Sequence, residues 1–140
     1  MTNYTLASST WDEAEYAAIQ RVVDSNIFTM GKEVAQYEKD FAKFFGSKFA
    51  LMVSSGSTAN LLMIAALFFT KNPRFKLRRG DEVIVPAVSW STTFFPLQQY
   101  GLRVKFVDID RKTLNMDLDK LEKAITDKTK VILAVNLLGN

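Results

Sequence analysis

The chain contains neither cysteine nor histidine in its 140 residues. Without cysteine there is no disulfide framework and no thiolate metal site, and a reducing compartment is permitted. Without histidine the commonest acid–base group and metal ligand is missing, so no metal site is expected here. The opening MTNYTLASSTWDEAEY lacks a basic segment followed by an apolar one, and no secretory signal is expected. No apolar run reaches membrane-spanning length, which makes a cytoplasmic location the expectation. Net charge is small too, at a formal +3, and the basic residues gather mainly in KNPRFKLRRG, residues 71–80. That stretch reads either as a phosphate or nucleic-acid patch or as a solvated loop between a helix and a strand. The loop is preferred because no aromatic stacking platform accompanies it, and no nucleic-acid partner is expected.

What is present suits one domain with a real core, since 48% of the residues are apolar. Thr10 followed by Glu13 fits a capping box for a helix over about Trp11–Ser25, with Ala18, Ile19, Val22 and Val23 at helical spacing. After a turn at SNIFTMG, a second helix over about Glu33–Phe45 gathers Val34, Tyr37, Phe41, Phe44 and Phe45 on one side, and Gly46 suits a left-handed cap. The pattern then alternates. KFALMVSS, EVIVPAV, RVKFVDID and KVILAVNLL are apolar at consecutive positions, as strands covered on both faces are. Helices are expected between them at Ser57–Thr70, about Thr93–Tyr100 and Asp117–Thr126, with Thr93 capping the middle one so that Pro96 falls in its first turn, and Gly101 closing it. Such alternation predicts an α/β fold with a mostly parallel sheet in a three-layer sandwich, residues 1–46 supplying N-terminal helices and 47–140 the start of the sheet. NLLGN follows a strand with no return helix, so the chain reads either as the amino-terminal piece of a longer protein, which is preferred, or as a small domain with an exposed edge.

The stretch VSSGSTANLLMIAAL, residues 53–67, places small polar residues where a strand meets a helix. In open α/β sheets ligands bind beyond the carboxyl ends of strands. There Gly56 permits close backbone approach, a helix head offers free N–H groups, and the Ser57 and Thr58 hydroxyls add donors: the parts of a phosphate cup. Small polar residues at a helix start also serve as plain caps. The stretch is neither the Gly-x-x-x-x-Gly-Lys loop nor the Gly-x-Gly-x-x-Gly fingerprint. The segment PAVSWSTT would bring Trp90 to the same rim, where an indole face either stacks on a flat heteroaromatic ring or packs in the core. A ring and a phosphate held together suit pyridoxal phosphate better than a dinucleotide.

Three stretches in register, FTMGKEVAQYEKDFAKFFGSKFALMVSSGSTANLLMIAAL, GDEVIVPAVSWSTTFFPLQQYGLRVKFVDID and KVILAVNLLGN, resemble the sugar aminotransferase family that uses pyridoxal phosphate on the aspartate aminotransferase fold. VSSGSTANLLMIAALFFTK and VPAVSWSTT are particularly similar to the branch that removes a sugar hydroxyl instead of installing an amine. The resemblance implies that Gly56 and Ser57, helped by Thr58, hold the phosphate of pyridoxal or pyridoxamine 5'-phosphate, and that Trp90 covers the pyridine ring. Asn26, Ile27, Phe28 and Thr29 align with a segment that contacts the nucleotide sugar; from the residues alone they read as an interhelical turn. Asn136 stands where many of the aminotransferases carry an aromatic residue or histidine, which suits the dehydrating branch.

The family further implies a homodimer, a substrate of the GDP-4-keto-6-deoxy-mannose class, glutamate as amino donor, and loss of the C3 hydroxyl. It places the aspartate that pairs with the pyridine nitrogen, and the lysine or histidine facing the cofactor, downstream of Asn140. None of the lysines present matches that lysine's context, so the catalytic role has no candidate here and the 140-residue chain alone is expected not to turn over. An amino-group transferase on the same substrates and a noncatalytic assembly module are the rival readings.

Overall fold

The structure, a computed structural model, describes residues 7–139; Met1–Leu6 and Asn140, which enter the sequence readings above, lie outside them. The chain divides into two compact units, residues 1–52 and 53–140.

The first unit holds two helices. Helix α1 spans Glu13–Ser25 and begins two residues later than expected. Its capping box is Asp12 with Glu15, not Thr10 with Glu13: the Asp12 carboxylate accepts from the Ala14 amide at 2.7 Å, and Glu15 accepts from the Asp12 amide at 2.8 Å. A carboxylate at the positive end of a helix outcompetes a hydroxyl two residues away. The helix ends in left-handed Asn26. Helix α2 spans Lys32–Phe44, and left-handed Gly46 closes it as anticipated, with Gly46 donating to the Lys43 carbonyl and Ser47 to that of Ala42. Its aromatic residues form a ladder along the helix, with Tyr37 to Phe41 at 5.6 Å and Phe41 to Phe45 at 4.5 Å, but they stand exposed; only Ala42 is buried.

The second unit is the α/β part. Helix α3 (Gly56–Phe69) leads through the basic stretch into strand β1 (Glu82–Pro86). Helix α4 (Ser91–Gln99), strand β2 (Arg103–Val107), helix α5 (Leu118–Ala124) and strand β3 (Thr129–Ile132) follow, with a short 3-10 turn at Leu137–Gly139. The three strands are parallel in the order β2-β1-β3, with Val83 beside Val104 and Ile84 beside both Lys105 and Ile132. β1 is therefore central, and Val83, Ile84 and Val85 are fully buried on alternate faces, which accounts for its unbroken apolar run. Val83 and Val85 pack with Ile64 of α3, Leu97 of α4, Leu77 and Leu102. The chain leaves β1 in one direction for β2 and returns in the other for β3, so right-handed crossovers put α4 and α5 on opposite faces. Lys105, on the face opposite Val104, accordingly donates to the Ala124 carbonyl at the end of α5.

The basic stretch forms the loop joining α3 to β1. It is anchored by buried Leu77, whose amide donates to the Leu67 carbonyl, and by the Arg78 amide, which donates to the Asp81 carboxylate.

Two further expectations fail. KFALMVSS is not a strand: no described strand pairs with it, and Phe49, Leu51 and Met52 stand exposed. Thr93 does not cap α4. That helix starts at Ser91 with Trp90 as its N-cap, which leaves Pro96 inside the helix and Thr93 buried in its first turn, its hydroxyl 2.8 Å from that of Ser89. Gly101 does close α4, in a left-handed conformation, donating to the Gln98 carbonyl.

Candidate functional site

Ser55 is the N-cap of α3, and its hydroxyl accepts from the Thr58 amide at 3.2 Å. The Thr58 hydroxyl in turn accepts from the Ser55 amide at 3.0 Å and donates to the Ser55 carbonyl at 2.8 Å. Thr58 is thus committed to holding the turn. The cap reading holds for Ser55 and Thr58, while among the described residues the amides of Gly56 and Ser57 and the Ser57 hydroxyl have no partner and are free to meet a ligand.

Gly56 is helical, so its backbone does not require glycine, and a methyl group added there would meet nothing within 4 Å. The space beside Gly56 is open. The first turn of α3 carries no acidic residue, and neither does that of α4, whereas those of α1, α2 and α5 carry Glu13 and Glu15, Glu33 and Asp119. At the heads of α3 and α4 the helix dipole is left uncompensated, as an arriving anion requires.

Trp90 heads α4 and is 77% exposed, so the core reading of this residue does not hold. The two heads are joined. Asn60, in the second turn of α3, donates from Nδ2 to the Thr92 carbonyl at 3.3 Å. The structure thereby brings Gly56, Ser57 and Thr58 to the same rim of the sheet as Trp90. The sequence reading missed Asn60, although Pro96 was a signal: proline in mid-helix leaves the carbonyl four residues earlier, that of Thr92, without its donor.

Asn26, Ile27, Phe28 and Thr29 belong to the other unit, in the link between α1 and α2. Ile27, Phe28 and Thr29, with Val22, Gly31 and Val34, line a hollow of about 200 Å³. Asn26 is not on its wall; it caps α1 through its amide, which donates to the Val23 carbonyl. A side chain at Gly31 would meet Ile27 at 3.0 Å, so glycine there lets the link fold back on itself.

Beyond the end of β2, Asp108 is held below the usual carboxylate range by the hydrogen bond and charge of Lys120 at 3.1 Å, and Lys120 is correspondingly raised. Asp110 is lowered by the amides of Thr113 and Lys112, and Asp117 by the amide of Lys120. Glu82 is lowered by the Thr129 hydroxyl. Each depressed carboxyl favours the folded form above the ordinary carboxylate range and loses that contribution as pH falls through its folded value. These are structural pairs; no group of three acidic residues suited to a metal ion occurs among the described residues. Nor, among them, is any helix long and apolar enough to cross a membrane.

The chain matches the model of the DegT/DnrJ/EryC1/StrS aminotransferase family over residues 9–140. It is similar to a GDP-4-keto-6-deoxy-D-mannose 3-dehydratase of Yersinia pseudotuberculosis, at 79% identity over all 140 residues and 35% of that protein. It matches the Escherichia coli GDP-4-keto-6-deoxy-D-mannose-3-dehydratase solved with bound hydrated PLP with a TM-score of 0.93 and 74% identity, covering 100% of this chain and 36% of that one. A mutant GDP-4-keto-6-deoxymannose-3-dehydratase with bound GDP-perosamine matches with a TM-score of 0.92 and 74% identity, covering 99% of this chain and 35% of that one. The chain spans about a third of the length of the relatives it matches.

Proposed function

Because the chain belongs to the DegT/DnrJ/EryC1/StrS aminotransferase family, we propose that it forms the cofactor seat of a nucleotide-sugar 3-dehydratase that uses pyridoxal or pyridoxamine phosphate in deoxysugar and lipopolysaccharide O-antigen biosynthesis. The observation that carries this reading is the open head of α3: two amides and a hydroxyl that have no partner among the described residues, with free space beside Gly56. In it, Gly56 and Ser57 bind the phosphate, Thr58 holds the turn that presents them, and Trp90 covers one face of the pyridine ring and keeps water from it. When bound, the cofactor supplies an electron sink that lets a carbon–hydrogen bond break and a neighbouring hydroxyl leave.

The substrate proposed is of the GDP-4-keto-6-deoxy-mannose class, with glutamate as amino donor. Ile27, Phe28 and Thr29 contact it from the wall of their hollow, and Asn26 shapes that link. A cytoplasmic homodimer is part of the same proposal. Exposed apolar residues such as Phe44 and Phe69 support further burial on assembly.

The second reading, an amino-group transferase on the same substrates, is favoured by the description of the family itself. Asn136 and the 79% identity to a dehydratase favour the first. The products decide between them. With the enzyme that carries this segment, pyridoxal phosphate, glutamate and GDP-4-keto-6-deoxy-mannose, mass spectrometry is expected to find a sugar that has lost its C3 hydroxyl; an amino sugar instead would favour the transferase. The 140-residue chain, having no histidine and no lysine that fits the role, is expected to bind cofactor without turnover. An assembly module would bind none.

A further inference from the structure

We propose that Asn60 is a positioning residue for this seat, fixing the head of α3 against the head of α4 by its hydrogen bond to the Thr92 carbonyl. The inference rests on the reading of Gly56, Ser57 and Trp90 as one site and goes beyond it by naming what holds their mutual register.

Three features lead there. Pro96 has no N–H to donate to the Thr92 carbonyl, so a half-buried acceptor near the start of α4 needs a donor from elsewhere, and Asn60 Nδ2 supplies it at 3.3 Å. The bond lies close to both halves of the site: Asn60 is one turn beyond Gly56, and Thr92 is two residues beyond Trp90. Finally, the rest of the contact between these helices is apolar. Ile64 and Leu97 share the core cluster, and at the far end Phe68 stacks on Tyr100 at 4.9 Å. Apolar contacts hold two helices together without fixing their register to a fraction of an ångström, whereas a hydrogen bond has a direction. Among the described residues no other hydrogen bond joins α3 to α4. The proline thus creates a vacancy that the neighbouring helix fills, and the filling locks the amides and the indole into one frame.

A merely structural Asn60 would satisfy the carbonyl and nothing more, and Pro96→Ala separates the two roles because it returns an N–H within α4. The test uses a Trp11→Phe background, leaving Trp90 as the single tryptophan. The chain has no cysteine, so Ser57→Cys carries a bimane label whose quenching by Trp90 reads the separation of the two heads without cofactor. Affinity for pyridoxal phosphate is measured in unlabelled chain that keeps Ser57.

Asn60→Leu is expected to reduce the quenching and to weaken pyridoxal phosphate binding about tenfold. Adding Pro96→Ala is expected to restore thermal stability but neither quenching nor affinity, and it keeps the comparison readable if Asn60→Leu alone folds poorly. Unchanged quenching in Asn60→Leu, or recovery of both quenching and affinity in the double variant, would overturn the proposal. Failure of the cofactor reading shows separately, as an unlabelled parent with no affinity for pyridoxal phosphate; the quenching comparison then still decides whether Asn60 fixes the two heads.

Discussion

Trp90→Ala is expected to weaken pyridoxal phosphate binding by between about ten and a hundredfold while leaving the melting temperature nearly unchanged. The size follows from the loss of a broad stacked face and the apolar area it covers, worth roughly 1.5–3 kcal/mol together. The lack of a stability effect follows from the position. Trp90 is 77% exposed, and its side chain makes no capping hydrogen bond to α4, so alanine removes nothing the fold depends on. Cofactor titration followed by absorbance, with thermal melts of the same samples, checks both halves. Trp90→Phe should retain part of the affinity, since a smaller ring still stacks. A Trp90→Ala chain that melts far earlier and binds as before would mean that the indole serves the fold and not the cofactor.

The second large effect is of opposite sign on stability and on binding. Ser57→Asp adds a negative charge to the second residue of α3, a first turn that carries none. Against the helix dipole this is favourable by about 0.3–1 kcal/mol, so the variant should melt at the same temperature or higher. Against the phosphate it is strongly unfavourable. Two charges about 4 Å apart near a protein surface repel by roughly 4 kcal/mol, and even half of that exceeds a tenfold loss; the expected reduction in affinity is about a hundredfold or more. Added salt should recover part of it by screening. A substitution that stabilises the fold and abolishes binding can be blamed neither on unfolding nor on a distant effect. Equal affinity in the variant and the parent would remove the head of α3 from the site.

Much of this arrangement is legible in the residues. Runs such as EVIVPAV are apolar at consecutive positions because β1 is central and covered on both faces, and the alternation of runs and helices fixes the parallel order. Gly46 and Gly101 mark the ends of α2 and α4 because both adopt left-handed backbone. The errors have a common source. A strand is a property of a pair, and KFALMVSS has strand composition without a described partner. Rules for placing proline put Thr93 at the head of α4, yet a neighbouring helix can supply the donor that proline lacks, and Asn60 does so. The Thr10 capping box failed because Asp12, closer to the helix, is the stronger acceptor. In each case the deciding group was a competitor or a partner that local pattern does not contain. The proposed site divides the same way: the groups assigned to it at Gly56, Ser57 and Trp90 belong to local stretches of sequence, whereas the hydrogen bond from Asn60 to the Thr92 carbonyl is tertiary.

The central claim is that free amides at the start of α3 grip the cofactor phosphate while an indole lies over its ring. Its most direct measurement is a crystal structure of the protein with pyridoxamine phosphate bound. Phosphate oxygens are expected within hydrogen-bonding distance of the Gly56 and Ser57 amides, with the Trp90 ring parallel to the pyridine. A phosphate held instead in the basic loop at Arg74, Lys76 and Arg78, or a Trp90 turned away from the ligand, would contradict it.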